Sequence, residues 1–459
     1  MWKNPFPYLL LVIFSGCAGI FAGADDVGVY DVSAFGVSAD GTTLDTAGIQ
    51  AAIDACQGAG GGMVRVGPGR YLTGTLTLKS GVTLHLCRGA VLAGSTNLDD
   101  YPKHKAEYRS YTDNYTDRAL IYAEGVRDIA VSGEGMIDGQ GAAFSGEYLV
   151  RPYMLRFVSC EGVALEDVTL RDGAMWTVHF LACDRVYARG VTIRSRCNKN
   201  NDGLDIDSSA NVRISDCDIS SGDDAIVLKS TSARPCRNVT ITNCVLSTDC
   251  NALKMGTESN GGFQNIAISN CAIHDTRLSG IALELVDGGL MDGVTVSNIT
   301  MQNTGGPIFI RLGNRARPYQ KEMDAPGIGA LRNISLSNIV ATGAGTVGCS
   351  ITGLPGHPVE NIVLRDVRIE FAGGGTEEDA KRVPDELPDK YPEYKMFGTL
   401  PAYGFYLRHA KNIRMDGISL TTKTDDARPS LAYEDVENLT VNTLVDNSGV
   451  VFPETPKTR

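Results

Sequence analysis

Residues Asn200 to Ser230, NNDGLDIDSSANVRISDCDISSGDDAIVLKS, hold seven aspartates: Asp202, Asp205, Asp207, Asp216, Asp218, Asp223 and Asp224. So many carboxylates can form a calcium cage, an acid/base pair or a set of solvated turns. The spacing of a calcium loop, with its central glycine and distal glutamate, is missing, and no metal is expected. Asp202 precedes the Asp223-Asp224 pair by 21 residues. If the chain coils with about that period, these three groups stack about 4.8 Å apart, the interstrand distance. Three carboxylates at such range cannot all ionise at their ordinary values, and at least one is raised. A protonated carboxyl beside an ionised one is what glycoside cleavage needs. One protonates the leaving oxygen, and the other activates water or attacks carbon. Asp202, Asp223 and Asp224 are therefore the expected catalytic cluster. Asp216 and Asp218 sit inside a repeated strand pattern and read as structural. Asp205 and Asp207 can border the cleft, bond a sugar or hold the loop.

The coil that must position these groups is visible as a repeat. Segments such as GVALEDVTLRD from Gly162, NVRISDCDISS from Asn211, NIAISNCAIHD from Asn265 and NIVLRDVRIEF from Asn361 align, with central spacings of 23, 26, 27, 27 and 28 residues. Within each copy apolar β-branched residues alternate, and Asn or Gly marks a corner, so each copy reads as two short strands joined by a tight turn. A unit this short cannot bury its own apolar face, whereas stacking copies closes a continuous core. The predicted fold is all-β, a right-handed parallel β-helix forming a single domain over residues 25–459. The segment Asp45 to Cys56 places Ile49, Ala52 and Ile53 at helical spacing, with Asp45 as N-cap, and predicts a short helix capping the open end of the core. Residues 377–402, rich in proline and charge, read as a surface insertion that can form part of a substrate wall.

Composition narrows the partners. The 459 residues carry a formal net charge of −12, which argues against nucleic acid or an anionic membrane as a general partner. A monomer without a stable protein partner is expected. Lys3, the apolar run Tyr8 to Phe14 and Ala22-Gly23-Ala24 form an export signal over residues 1–24. Ser15-Gly16-Cys17 resembles the end of a lipoprotein signal, which would anchor the chain through Cys17. Export predicts a secreted or periplasmic protein. Of the 12 cysteines, Cys217, Cys244 and Cys271 recur at one repeat position and should stack as small buried residues. Cys197, Cys236 and Cys250 lie in less regular stretches and could pair.

These residues together resemble glycoside hydrolase family 28, the polygalacturonase-like pectin hydrolases. Ala34–Cys56 is similar to the family's N-terminal segment. Asp172–Val186, with Trp176 and His179, is similar to the segment ahead of the active site in exo-acting members. Asn200–Gly203 matches Asn-Thr-Asp-Gly with Asn201 for Thr, and Gly222-Asp223-Asp224-Ala225 matches the Gly-Asp-Asp motif. The resemblance implies inverting hydrolysis of a pectic polysaccharide or oligosaccharide, with Asp223 as general acid and Asp202 and Asp224 positioning and activating water. It implies no cofactor.

Two motifs depart from the family. Cys250-Asn251-Ala252 replaces Gly-His-Gly, so Asn251 stands where a His supports the acid; it can hydrogen-bond but carries no proton. Lys254 is placed to take over part of that electrostatic task. Ala282 and Glu284 replace the Arg and Lys that grip galacturonate carboxylates. Other cations are available for substrate: Arg311, Arg315 and Arg317 in one cluster, and Arg408 beside His409. Lys229 can point into the cleft and tune its carboxylates, and Glu258 can line the sugar site or cap a turn. Trp176 can stack on a sugar or belong to the core, and His179 reads as a wall residue. A polysaccharide lyase or epimerase on the same scaffold, or a non-catalytic carbohydrate-binding solenoid, remains an alternative.

Overall fold

The alternating β-branched repeats wind into a right-handed parallel β-helix in a computed structural model that describes residues 28–450. The export signal and Cys17 lie outside the described residues. All the strands belong to one continuous sheet, and successive coils pair in parallel. Because side chains alternate along a strand, every second residue enters the interior. Leu155, Val178, Leu204, Ile226, Leu253, Ile281 and Ile308 thus form one inward stack. None is more than 1% exposed, and burying each contributes about 1.5–3 kcal/mol.

The corners explain the recurrent asparagines. Asn211, Asn238 and Asn265 adopt φ of 57°, 56° and 56°, a left-handed conformation that Asn tolerates better than most residues. Their side chains form a ladder, Asn238 Nδ2 donating to Asn211 Oδ1 at 3.0 Å and Asn265 to Asn238 at 2.9 Å. The ladder resumes through Asn361, Asn412 and Asn438 at 2.9 Å per step. Cys217, Cys244 and Cys271 stack inside as expected, all buried and free. Cys197, Cys236 and Cys250 are also free thiols and do not pair. Their irregular spacing reflects loop lengths between coils, not a cross-link.

The helix Thr46–Gly58 closes the N-terminal end and buries Ile49, Ala52, Ile53 and Cys56 completely. Asp45 stands at its N-cap position but makes no capping bond. Its carboxylate accepts instead from Ser38 N (2.6 Å) and Ala39 N (3.0 Å), tying the preceding loop to the helix. The insertion lies between the strands Val359–Phe371 and Phe405–Thr422 and contains the one-turn helix Glu377–Ala380. No helix of the described residues is long and apolar enough to cross a membrane.

Candidate active site

Two rows of outward side chains run along one sheet face. One row reads His179, Asp205, Val227, Lys254, Ala282 and Phe309, and the neighbouring row places Asp207 beside Lys229 and Glu284 beside Arg311, Thr352 and Arg408. At the turn entering these strands, Gly203 N donates to the Asp224 carbonyl and Ala225 N to the Asn251 carbonyl, both at 2.9 Å. Asp202, Asp224 and Asn251 therefore follow one another in successive coils, and Asp223 stands one residue before that register. Gly203 is required at this turn: a Cβ there would lie 2.4 Å from the Ala225 carbonyl oxygen.

Asp223 and Asp224 share a turn held by Ser221 Oγ and Thr248 Oγ1, which donate to the Asp223 carbonyl at 2.6 and 2.5 Å. Asp223 is half-buried; its Oδ1 accepts from Asp224 N at 3.0 Å and its Oδ2 from Asn200 Nδ2 at 3.5 Å. Asp224 is buried and ringed by donors. Asn251 Nδ2 lies at 2.9 Å and Lys254 Nζ at 3.0 Å. The two environments separate the acidities. Burial and then the Asp224 charge push the Asp223 carboxyl up. Burial would also raise Asp224, but Lys254, Lys229 and the Asn251 amide outweigh it and hold that group low. Two adjacent carboxyls are thus driven apart in acidity, Asp223 up and Asp224 down, the arrangement that general acid–base work uses. Asp202 is pushed well up by burial, then by Asp205 and Asp223, so it shares the proton economy of the cluster.

Asn251 supports Asp224 and not Asp223. Its Oδ1 meanwhile accepts from Ser279 N at 3.0 Å, which locks the amide orientation. Lys254 also faces Glu284 at 3.6 Å and the Tyr391 hydroxyl at 3.3 Å. Burial drives the Glu284 carboxyl up to about 8 against the pull of Lys254. Lys229 lies 3.6 Å from both Asp202 and Asp205 and 3.7 Å from Glu258. Glu258 reaches it through an irregularity: the pairing jumps from Leu228–Met255 to Ser230–Ser259, so the second strand bulges at residues 256–258. Gly256, at φ 100°, makes the bulge possible, since a Cβ would sit 2.1 Å from the Glu284 carbonyl oxygen. Glu258 also pairs with Arg317 and lies 3.9 Å from Arg315, and Arg315 Nε donates to Asp287 at 2.9 Å.

Other candidates fall elsewhere. Arg311 donates to the Gly353 carbonyl at 3.0 Å and to the Glu386 and Leu387 carbonyls at 2.6 and 3.3 Å. Arg408 donates to the Pro384 carbonyl at 2.6 Å and pairs with Glu386. Both guanidiniums are spent on anchoring the insertion and are not free to grip a substrate. Trp176 is buried, with Lys229 Nζ 4.6 Å from its ring, and it packs on Tyr115, Tyr153 and His179. It walls the site and offers no open stacking face. His179 is fully buried against Asp207 at 3.1 Å and is pushed down to about 4 by burial, which leaves it a neutral wall residue. Asp207 also accepts from Thr231 N (2.9 Å) and Oγ1 (2.6 Å), so it holds the loop. Asp216 is exposed at the corner between the strands Ala210–Ser215 and Asp218–Ser221, at φ 58°, and Asp218 is exposed at the start of the second strand.

Several site residues lie where no repeat register could locate them. Tyr391 and Glu393 arrive on the insertion, and burial raises the Glu393 carboxyl to about 7. Tyr111, on the loop preceding the strand Ala119–Glu124, carries the Arg317 guanidinium 3.6 Å over its ring. Asp223, Asp224 and Cys250 bring three potential metal-ligand atoms within 4.8 Å of one another, the one such group among the described residues. The ammonium of Lys254 already pairs with that Asp224 carboxylate, and burial and the two carboxylates push the Cys250 thiol far up, so it does not supply the thiolate a metal takes.

Comparison with known proteins agrees with this geometry. The chain is 28% identical over 402 residues to a "Probable polygalacturonase" of Vitis vinifera, covering 78% of this chain and 80% of that protein. It is 29% identical over 237 residues to an exo-poly-alpha-D-galacturonosidase of Dickeya chrysanthemi, covering 40% and 39%. Its fold superposes on the Yersinia enterocolitica family 28 exopolygalacturonase with a TM-score of 0.68 at 19% identity, covering 90% of this chain and 78% of that one. The model of the glycosyl hydrolases family 28 matches residues 56–388, a span that contains the carboxylate cluster and its lysines. With that span and the paired acidities of Asp223 and Asp224 on a parallel β-helix, the chain belongs to glycosyl hydrolases family 28, and it is a glycoside hydrolase.

Proposed function

We propose that this hydrolase acts from a chain end on pectic, galacturonate-containing polysaccharides or oligosaccharides, with inversion, as an exported single-domain monomer. Asp223 protonates the leaving glycosidic oxygen. Asp224, kept ionised by Lys254 and Asn251, accepts the proton of the attacking water, and Asp202 helps to orient that water. One observation carries this reading: two adjacent carboxyls driven in opposite directions, with Lys254 3.0 Å from the lower one.

The rim supports action at an end. The Tyr111 and Arg317 loops meet across the site, Asn314 N donates to the Pro388 carbonyl at 2.6 Å, and Arg315 lies 5.5 Å from the Tyr391 ring centroid. Three loops thus join into one wall, whereas internal cleavage needs a groove open at both ends. The names of the Dickeya and Yersinia proteins point the same way. The test is Asp223→Asn, assayed on a panel of pectic oligosaccharides with product mass and anomeric configuration read together. Turnover should fall roughly 100- to 10,000-fold while binding survives. Full activity in that variant overturns the acid assignment. An ultraviolet-absorbing unsaturated product would mark a lyase instead.

A further inference from the structure

The loop between Lys103 and Arg118 has two sides. One belongs to the catalytic wall, where Tyr111 lies under Arg317 and Tyr115 packs on Trp176. The other encloses a cavity of about 210 Å³, lined by this loop and by Arg156 from the sheet. A cavity of about 150 Å³ holds a benzene ring, so this one has room for a single sugar ring. Arg156 stands in the same outward row as His179 and Asp205, two coils nearer the N-terminus than Asp205. The fully buried His179 stands between Arg156 and the carboxylate cluster.

Arg156 is 4% exposed and pairs with no carboxylate among the described residues. Its Nη1 donates to the Thr116 carbonyl at 2.9 Å and its Nη2 to Thr112 Oγ1 at 3.2 Å, while its Nε has no partner. One face of the guanidinium lies 4.6 Å over the Tyr153 ring. That contact stabilises the charge and leaves the in-plane N–H edge unspent. Buried guanidiniums normally meet an anion, and Nε with a neighbouring Nη is an edge that grips a carboxylate bidentately. His104 lines the same cavity, and its buried Nε2 is also unmet. Lys105, exposed and without an ion-pair partner, adds a second cation to the lining. The acids of the lining have cations of their own: Asp113 faces Arg109 at 3.1 Å and Asp117 faces Lys103 at 3.6 Å. Their oxygens keep capacity to accept from hydroxyls, and their charge disfavours a compact, multiply charged anion.

We infer that this cavity binds a uronate, with the carboxylate on Arg156 and Lys105 and ring hydroxyls donating to Asp113 and Asp117. The anion site rests on Arg156 alone; the choice of a uronate among hydroxy acids rests on the pectic reading above. It is a second sugar site, on the far side of the loop that carries Tyr111 and Tyr115, and the unit held there is not the one being cleaved.

The test is calorimetric titration of the full chain with galacturonate, galactose and inorganic phosphate. Galacturonate should give a binding event that persists in Asp223→Asn and weakens roughly tenfold or more in Arg156→Leu. Galactose, the same ring without the charge, and phosphate should each bind that site roughly tenfold or more weakly. Equal binding of galactose would mean that no carboxylate is read, and phosphate binding as tightly as galacturonate would mark a site for inorganic oxyanions. An event lost in Asp223→Asn would belong to the catalytic cluster. Any of these, no event at all, or an event unchanged in Arg156→Leu overturns the proposal. Arg156 also holds Thr112 and Thr116, so its loss can loosen the loop. If Arg156→Leu melts early, Lys105→Glu carries the readout: severalfold weaker galacturonate binding with kcat on pectic oligosaccharides unchanged. Unaltered affinity in that variant overturns the proposal as well. Failure of the titration leaves the hydrolase reading intact. A chain that binds galacturonate here but cleaves no pectic oligosaccharide keeps this site and loses that reading.

Discussion

At the residue scale the site works by unequal solvation of like groups. Asp223 and Asp224 are neighbours in sequence, yet one faces a half-open turn and the other a buried ammonium. Replacing Lys254 by Met removes the first of the groups that hold Asp224 low. The acid limb of the kcat/KM profile should then move to higher pH by about 1–3 units, read against Tyr391→Phe, which removes the hydroxyl beside Lys254 and keeps the charge. Glu284 predicts a stability signature. Its carboxyl sits at about 8 when folded against an ordinary 4.5. Between those values the folded chain holds more protons than the unfolded one, so stability falls as pH rises through that window. Thermal melts of Glu284→Gln should lose less between pH 5 and pH 8 (about the limits of that window) than those of the wild type. Asn251 was legible as a substitution for His, but its partner was not: which carboxylate an amide meets depends on side-chain directions across two coils.

At the element scale the corners and the insertion carry different loads. Asn265→Ala should cost about 2 kcal/mol, from a left-handed residue without Asn's tolerance and a broken ladder bond. Asn265→Gly should cost less, because glycine accepts the φ of 56°. Urea midpoints compare the two. The insertion is held by Arg311 and Arg408, so Arg311→Leu should free residues 377–402. Limited proteolysis there should accelerate and KM should rise as Tyr391 leaves Lys254. The repeat period made the strands and the carboxylate stacking readable, because each coil obeys one register. The insertion obeys none, so its residues Tyr391 and Glu393 could not be assigned to the site, and Arg311 and Arg408 looked like free clamps.

At the scale of the whole molecule the solenoid is a rod of stacked coils whose ends must be covered. Ile53 is fully buried under the first coil, and Ile53→Asp should cost about 3 kcal/mol or more. It should also uncover the stacked strand edges and promote self-association, which light scattering would detect. The same rod brings three distant loops to one place. Tyr111, Arg317 and Tyr391 are far apart in sequence and join only because parallel stacking lines up their coils on one face.

The sequence by itself determined the β-helix, the stacking of Asp202 with Asp223 and Asp224, the small buried cysteines and the departures from the family motifs at Asn251, Ala282 and Glu284. All of these follow from a local period that repeats coil after coil. Only the tertiary structure decided which cations remain available, which wall closes the site, and that Asn251 and Lys254 serve Asp224. Those outcomes depend on how loops outside the period fold back over the sheet, and on which buried charges find a partner when they do.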